Sequence, residues 1–195
     1  MTSKKWQTLL QTIVLATVTT LTPTSVSAED AINIQQLSAK APAQTSQLTG
    51  LIGNWKIDDH FLDKDGKWQP AGGAQWKFYW ILGGTAIQDD WISPALDKPA
   101  PKAGRQFGTN IRIYNPKLKR WEMAWASNTG GKIDTFNAVA EGESVVMSGF
   151  FNGADSRITF YDIKPQSFAW KLEQQDKESG KFKEIYRIKG ERIKS

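Results

Sequence analysis

The sequence predicts an all-β protein, an antiparallel up-and-down β-barrel of about ten strands entered through one short N-terminal helix. Three observations carry that expectation. From Trp55 onward, apolar residues recur at every second position in one run after another. No stretch keeps the 3.6-residue apolar period of a long helix. Turn residues punctuate the runs at short intervals, among them Asp63-Lys64-Asp65-Gly66, Gly83-Gly84, Asn128-Thr129-Gly130-Gly131, Asn152-Gly153-Ala154-Asp155 and Glu178-Ser179-Gly180-Lys181. A meander with one apolar face hides its edges best by closing on itself, so a barrel is expected ahead of the alternative, a two-sheet β-sandwich.

Met1 to Ala28 reads as a signal peptide. Lys4 and Lys5 give a basic start, Leu9 to Leu21 is an apolar run diluted by Thr, and Val26-Ser27-Ala28 ends in small residues that signal peptidase accepts. A spanning helix needs about 20 apolar residues, more than this run supplies. Cleavage after Ala28 is therefore expected, leaving no integral membrane span, with a periplasmic or secreted location. There is no Cys, so the 167 residues from Glu29 on must hold together by core packing, without disulfides.

Residues 29 to 47 are polar, Ala-rich and carry Pro42, the composition of a flexible tether, and the barrel domain is expected over residues 48 to 195. Gln44 to Ile52 reads as the short helix, with Thr45 or Ser46 as cap, Leu48, Leu51 and Ile52 turned inward, and Gly53 ending it. The first strand alternates through Trp55, Ile57, Asp59 and Phe61, and the next places Trp76, Phe78 and Trp80 on one face. Ser93 to Gln106 holds Pro94, Pro99, Pro101 and Gly104. It is expected to be an exposed flap or lid rather than sheet. A central hairpin follows over Gly108 to Trp125, turning at Asn115-Pro116. Its pattern puts Ile113 opposite Trp121 and Ile111 opposite Met123 on the covered face, with Arg112 opposite Glu122 outside. Five further strands end at Arg192.

Leu51-Ile52-Gly53-Asn54-Trp55, a short helix and then Gly-x-Trp opening the first strand, resembles the start of the calycin barrels, which include lipocalins and fatty-acid-binding proteins. The Leu82-Gly83-Gly84 reversal and the Tyr114-Asn115-Pro116 turn followed by Trp121 are similar to bacterial calycin-like domains of uncharacterised function. The resemblance runs from about Leu48 to Ile193 and implies the fold. Calycins carry unrelated functions on one barrel, so it implies no binding residues here.

Charge and residue types narrow the function. Without Lys4 and Lys5 the net charge falls from +5 to +3, too mild for a nucleic-acid partner. The basic residues around Lys117 to Arg120 and Lys181 to Lys194 interleave with Glu and read as a solvated outer face. With no Cys and a single His, neither a metal site nor a cofactor is expected. His60 has the outward parity of Lys56 and Asp58, which excludes it as an inward haem ligand.

Carboxylates offer more. Asp59, Asp89 and Glu184 each fall on the apolar side of a strand, with no Lys or Arg expected on those faces. A dry interior would not tolerate unpaired acids, so a wet cavity is expected, lined by Asp59, Asp89, Trp91, Trp125 and Asn137 and entered near the Pro-rich flap. That lining favours a polyol, an amine or a cationic aromatic ligand. The leading expectation is an exported small-molecule-binding protein. The alternatives are an envelope interaction module with a filled barrel and a protein partner, or an isomerase or hydrolase using Asp59 and Asp89 as an acid and base pair.

Overall fold

The computed structural model describes residues 36–194. The expected signal peptide and the first part of the tether lie outside the described residues. Eleven strands follow in chain order: β1 Gly53–Leu62, β2 Trp68–Pro70, β3 Ala74–Ile81, β4 Ala86–Ser93, β5 Gln106–Asn115, β6 Arg120–Ser127, β7 Ile133–Glu141, β8 Ser144–Phe151, β9 Ala154–Lys164, β10 Ser167–Gln175 and β11 Phe182–Arg192. All pairings are antiparallel: β1 pairs with β3, each strand from β3 on pairs with the next, and β11 returns to β1, with Trp55 opposite Arg192 and Phe61 opposite Tyr186. β1 and β3 to β11 thus close a ten-strand barrel. β2 is a short addition along the upper part of β1.

A 3-10 helix, Ala43–Leu51, lies across the end of the barrel that carries the β3–β4, β5–β6, β7–β8 and β9–β10 turns. Leu48 and Leu51 are buried there, while Ile52 is only half-buried. The helix starts directly after Pro42, inside the stretch expected to be a tether. It has no side-chain cap: Ser46 Oγ donates back to the Ala43 carbonyl, and Thr45 is buried. The expected cap at Thr45 or Ser46 is therefore corrected, because Pro42 opens the helix further upstream than the pattern implied.

Two indole groups fasten this closed end. Trp55 Nε1 donates to the Leu51 carbonyl at 2.6 Å, and Trp121 Nε1 donates to Gln47 Oε1 at 3.0 Å. Arg192, at the end of the last strand, lies 4.1 Å from the Trp55 ring centroid and donates to the carbonyls of Ile52 and Gly50 at 2.6 and 2.8 Å. Gly53 is required at this spot. Its φ is +131°, and a Cβ there would meet Arg192 Nη1 at 2.2 Å.

The central hairpin differs from the expected one by a single residue. Tyr114, not Ile113, stands opposite Trp121, and Arg112 stands opposite Met123. A slip of one exchanges the faces of a strand. Ile111 and Ile113 are 43% and 42% exposed, whereas Asn110 and Arg112 are 3% and 1% exposed. The turn accounts for half of this: Asn115 Oδ1 accepts from the backbone N–H of Lys117 and Leu118, and Lys119 takes a φ of +52°, giving a four-residue connection. Gly108 accounts for the other half. A Cβ at Gly108 would lie 2.1 Å from the Trp125 ring, so Gly108 faces inward, and Asn110 and Arg112 share its parity.

This assignment of faces is tested by urea denaturation. Leu51→Ala is expected to cost about 2–5 kcal/mol by opening a cavity under the helix. Ile111→Thr, on the outer wall, is expected to change stability by no more than about 0.5 kcal/mol.

Candidate ligand-binding site

The two halves of the barrel are filled differently. Trp55, Trp121, Leu48, Phe78, Phe160 and Phe168 pack the closed half solid, with Trp55 meeting Phe168 edge-on at 4.8 Å. The other half holds a cavity of about 260 Å³ that extends to Gln106 and Asn152, at the end opposite the helix. Its wall is aromatic: Trp76, Trp91, Trp125, Phe136, Phe151 and Trp170. Trp76 and Trp91 cross at 88° with centroids 5.2 Å apart, and Trp170 crosses Tyr186 at 90°. Such edge-to-face contacts hold the rings in place before any ligand arrives.

The floor is polar. Arg112 rises from β5 beside the rings of Phe78 and Phe160, with its guanidinium carbon 5.4 and 5.7 Å from their centroids. One of its terminal nitrogens donates to Asp89 Oδ2, and Trp76 Nε1 donates to Asp89 Oδ1 at 2.7 Å. Burial pushes the Arg112 guanidinium down to about 9, which leaves it charged at neutral pH and matched to the carboxylate beside it. Asn110 and Arg112 both line this space, and each holds one atom that is closed off from solvent and has no hydrogen-bond partner, Asn110 Oδ1 and Arg112 Nε.

Asp59 is buried higher up, on β1. Its Oδ1 accepts from the Gly73 N–H at 2.8 Å and its Oδ2 from the Tyr186 hydroxyl. Burial, then the bond to Asp59, pushes the Tyr186 phenol well above its ordinary range. Phe78 pairs with both Gly53 and Asp89. Asp89 therefore sits at the level of Gly53, six residues, or about 20 Å of strand, from Asp59.

Several expected site residues are displaced by these facts. Trp91 and Trp125 line the cavity as expected. Asp59 and Asp89 point inward, but each is enclosed by its own donors and neither lines the cavity. Their faces do carry a base, because the slip in β5 turns Arg112 inward. Asn137 is on the outer wall: it pairs with Glu122 and Ser148, and the inward residues of β7 are Phe136 and Ala138. Glu184 lies at the rim, where Arg187 Nε donates to it at 2.8 Å. His60 faces outward beside Asp58. No group of three or more His, Cys, Asp or Glu is arranged to hold a metal ion among the described residues.

The Pro-rich connection adjoins the opening without lining it. Arg105 gathers it, donating to the carbonyls of Pro94, Ala95 and Lys98 at 2.8, 2.8 and 2.6 Å. Gln106, the next residue, does line the cavity, accepting from Trp91 Nε1 and donating to Thr129 Oγ1.

No family model and no curated protein matches the chain in sequence. Solved structures do match it in shape. The S-type phycobiliprotein lyase CPES from Guillardia theta is similar at 8% identity and a TM-score of 0.50, over 76% of this chain and 91% of that one. Rv2717c from M. tuberculosis is similar at 11% identity and a TM-score of 0.54, over 79% of this chain and 99% of that one. Together with the closed ten-strand antiparallel barrel, these neighbours fit a calycin-like fold.

Two substitutions test the polar groups. Arg112→Met strands a buried carboxylate and is expected to cost about 3–5 kcal/mol, most of it recovered in the double variant Arg112→Met with Asp89→Leu, read by a denaturant double-mutant cycle. The raised Tyr186 value works in the alkaline direction. Its stabilisation is complete below the ordinary phenol value of 10.0 and is lost as pH rises beyond it, because the unfolded chain ionises first. Tyr186→Phe is expected to flatten that alkaline fall in thermal unfolding experiments.

Proposed function

We propose that this is an exported binding protein that holds one small, flat, mainly apolar molecule in the open half of its barrel. The observation that carries the reading is the preformed cavity of about 260 Å³, floored by charge and walled by ordered aromatic rings, inside a barrel otherwise packed solid. That volume lies just below the usual range for small-molecule sites, roughly 300 Å³ upward, which limits the occupant to a small molecule. The phycobiliprotein lyase lends its fold to this reading and, at 8% identity, nothing of its activity.

The cavity also weighs against the alternatives. A filled barrel acting purely as an interaction module would not leave this space. An acid and base pair needs both carboxylates near one substrate atom, and Asp59 and Asp89 are far apart and already bonded. The same bonds leave no free carboxylate for a polyol or a cation, so the proposed ligand is not one of those. Export remains part of the proposal, supported by the basic, apolar and small-residue order of Met1 to Ala28.

The tests are direct. N-phenyl-1-naphthylamine is expected to brighten on binding to the purified protein, and Met147→Trp, which fills the cavity from β8, to weaken that binding at least about tenfold. No brightening with the native protein would overturn the reading. N-terminal sequencing of protein from its own cells is expected to begin at Glu29; a chain still beginning at Met1 would remove the export.

A further inference from the structure

We infer that the outer wall of β5 to β8 is a self-association surface, on which a second copy of this chain docks. Six of the twelve large apolar residues exposed among the described residues lie there: Phe107, Ile111, Ile113, Ile133, Val139 and Phe150. Taken singly, exposed apolar residues are ordinary. What sets this wall apart is charge. At the outward positions of these four strands, charged side chains stand only toward the closed end, as Arg120, Glu122 and Glu141, and the first two bond each other at 3.0 Å. Each of the other six barrel strands carries charge on its outer face: Lys56 on β1, Lys77 on β3, Asp90 on β4, Arg157 on β9, Lys171 on β10 and Lys189 on β11. A contiguous apolar wall on one side of a barrel that is charged elsewhere marks an interaction surface.

The strand registers make the wall continuous. Ile111 stands opposite Ala124, Ala124 opposite Thr135, and Ala126 opposite Ile133. The small Ala124 and Ala126 leave a furrow along β6 between the larger side chains of β5 and β7. That furrow levels a convex wall and gives a ridge from a second copy a place to enter. Four strands about 4.8 Å apart, with about four outward rungs along them, make a face of about 20 Å by 25 Å. This is the size of a small, reversible interface, which takes less than about 600 Å² from each partner.

Charge also decides the occupant. Two copies of one surface meet across a two-fold axis, so a charge near its centre would oppose its own like, and the centre of this wall carries none. A bilayer surface is recognised through Lys or Arg and through Trp or Tyr at the headgroup level. The outward positions of this wall hold only Arg120 of that set, beside Glu122. The wall faces away from the cavity, so the inference stands apart from the binding reading.

Sedimentation velocity of the purified protein from about 1 to 500 µM tests it. The native chain is expected to pass from one copy to two, with the midpoint at roughly 10–100 µM. Ile111→Lys and Phe150→Lys are each expected to raise that midpoint at least about tenfold, while Lys77→Glu, on the charged side, leaves it in place. Hydroxyl-radical footprinting of the native protein at both ends of the range is expected to show Ile133 and Phe150 protected at the high end, which keeps the test open should a variant not fold. A native chain that stays a single copy at 500 µM overturns the inference. So does association that spares these residues from protection. Co-sedimentation of the single copy with phosphatidylcholine vesicles would give the wall to a bilayer instead, and overturns it as well.

Discussion

The closed end of the barrel depends on Arg192. Its guanidinium covers the Trp55 ring and bonds the carbonyls of Gly50 and Ile52, so one side chain ties the last strand to the first strand and to the helix between them. Arg suits this position because its planar fork can stack on an indole while donating in two directions. A barrel whose last strand is pinned in this way has no free edge there. Because the helix and its indole partners fill that end, the empty volume is confined to the other half, and its floor is set by what β5 turns inward.

What β5 turns inward is a charged pair. Buried pairs add little net stability, since desolvation offsets most of their attraction. Asp89 is nonetheless fully engaged, by Trp76 on one oxygen and Arg112 on the other, and the rings of Phe78 and Phe160 hold the guanidinium in place. Asp59 is held in the same manner by Gly73 and Tyr186, which ties the connection after β2 to the barrel wall. Carboxylates that look like chemistry in the sequence are thus, in the fold, fixed points of the interior.

The architecture was legible because alternation and turn chemistry both report on backbone, and they agreed at nearly every strand. Trp91 and Trp125 were legible as lining for the same reason. The polar floor was not. In β5 two isoleucines alternate with Asn110 and Arg112, and hydrophobicity alone assigns the isoleucines inward. Gly108 carried the contrary signal: a glycine within a strand marks the close approach of something large, here the Trp125 ring, and fixes the inward parity as even-numbered. Asn137 was misplaced because it was assigned to the cavity by residue type, while its neighbours Phe136 and Ala138 hold the inward parity of β7. Tyr186 and Arg192 escaped notice because their partners are about 130 residues away, at Asp59 and Gly50 to Trp55.

The orientation of β5 bears on function more than any single contact does. Exposed single apolar residues are common on protein surfaces and cost little, so Ile111 and Ile113 outside need no compensation. Asn110 and Arg112 inside do need it, and the fold supplies only part: Asp89 satisfies one nitrogen of Arg112, while Nε and the Asn110 oxygen are buried without a partner. Packing alone would favour the opposite parity, with the isoleucines filling the space that is now a cavity. A strand that buries its polar residues, shows its apolar ones to water and leaves two buried polar atoms without a partner is arranged against its own cheapest packing. Departures from local consistency of this kind concentrate where a fold serves something besides its own packing, and β5 borders the cavity to which the proposed binding is assigned.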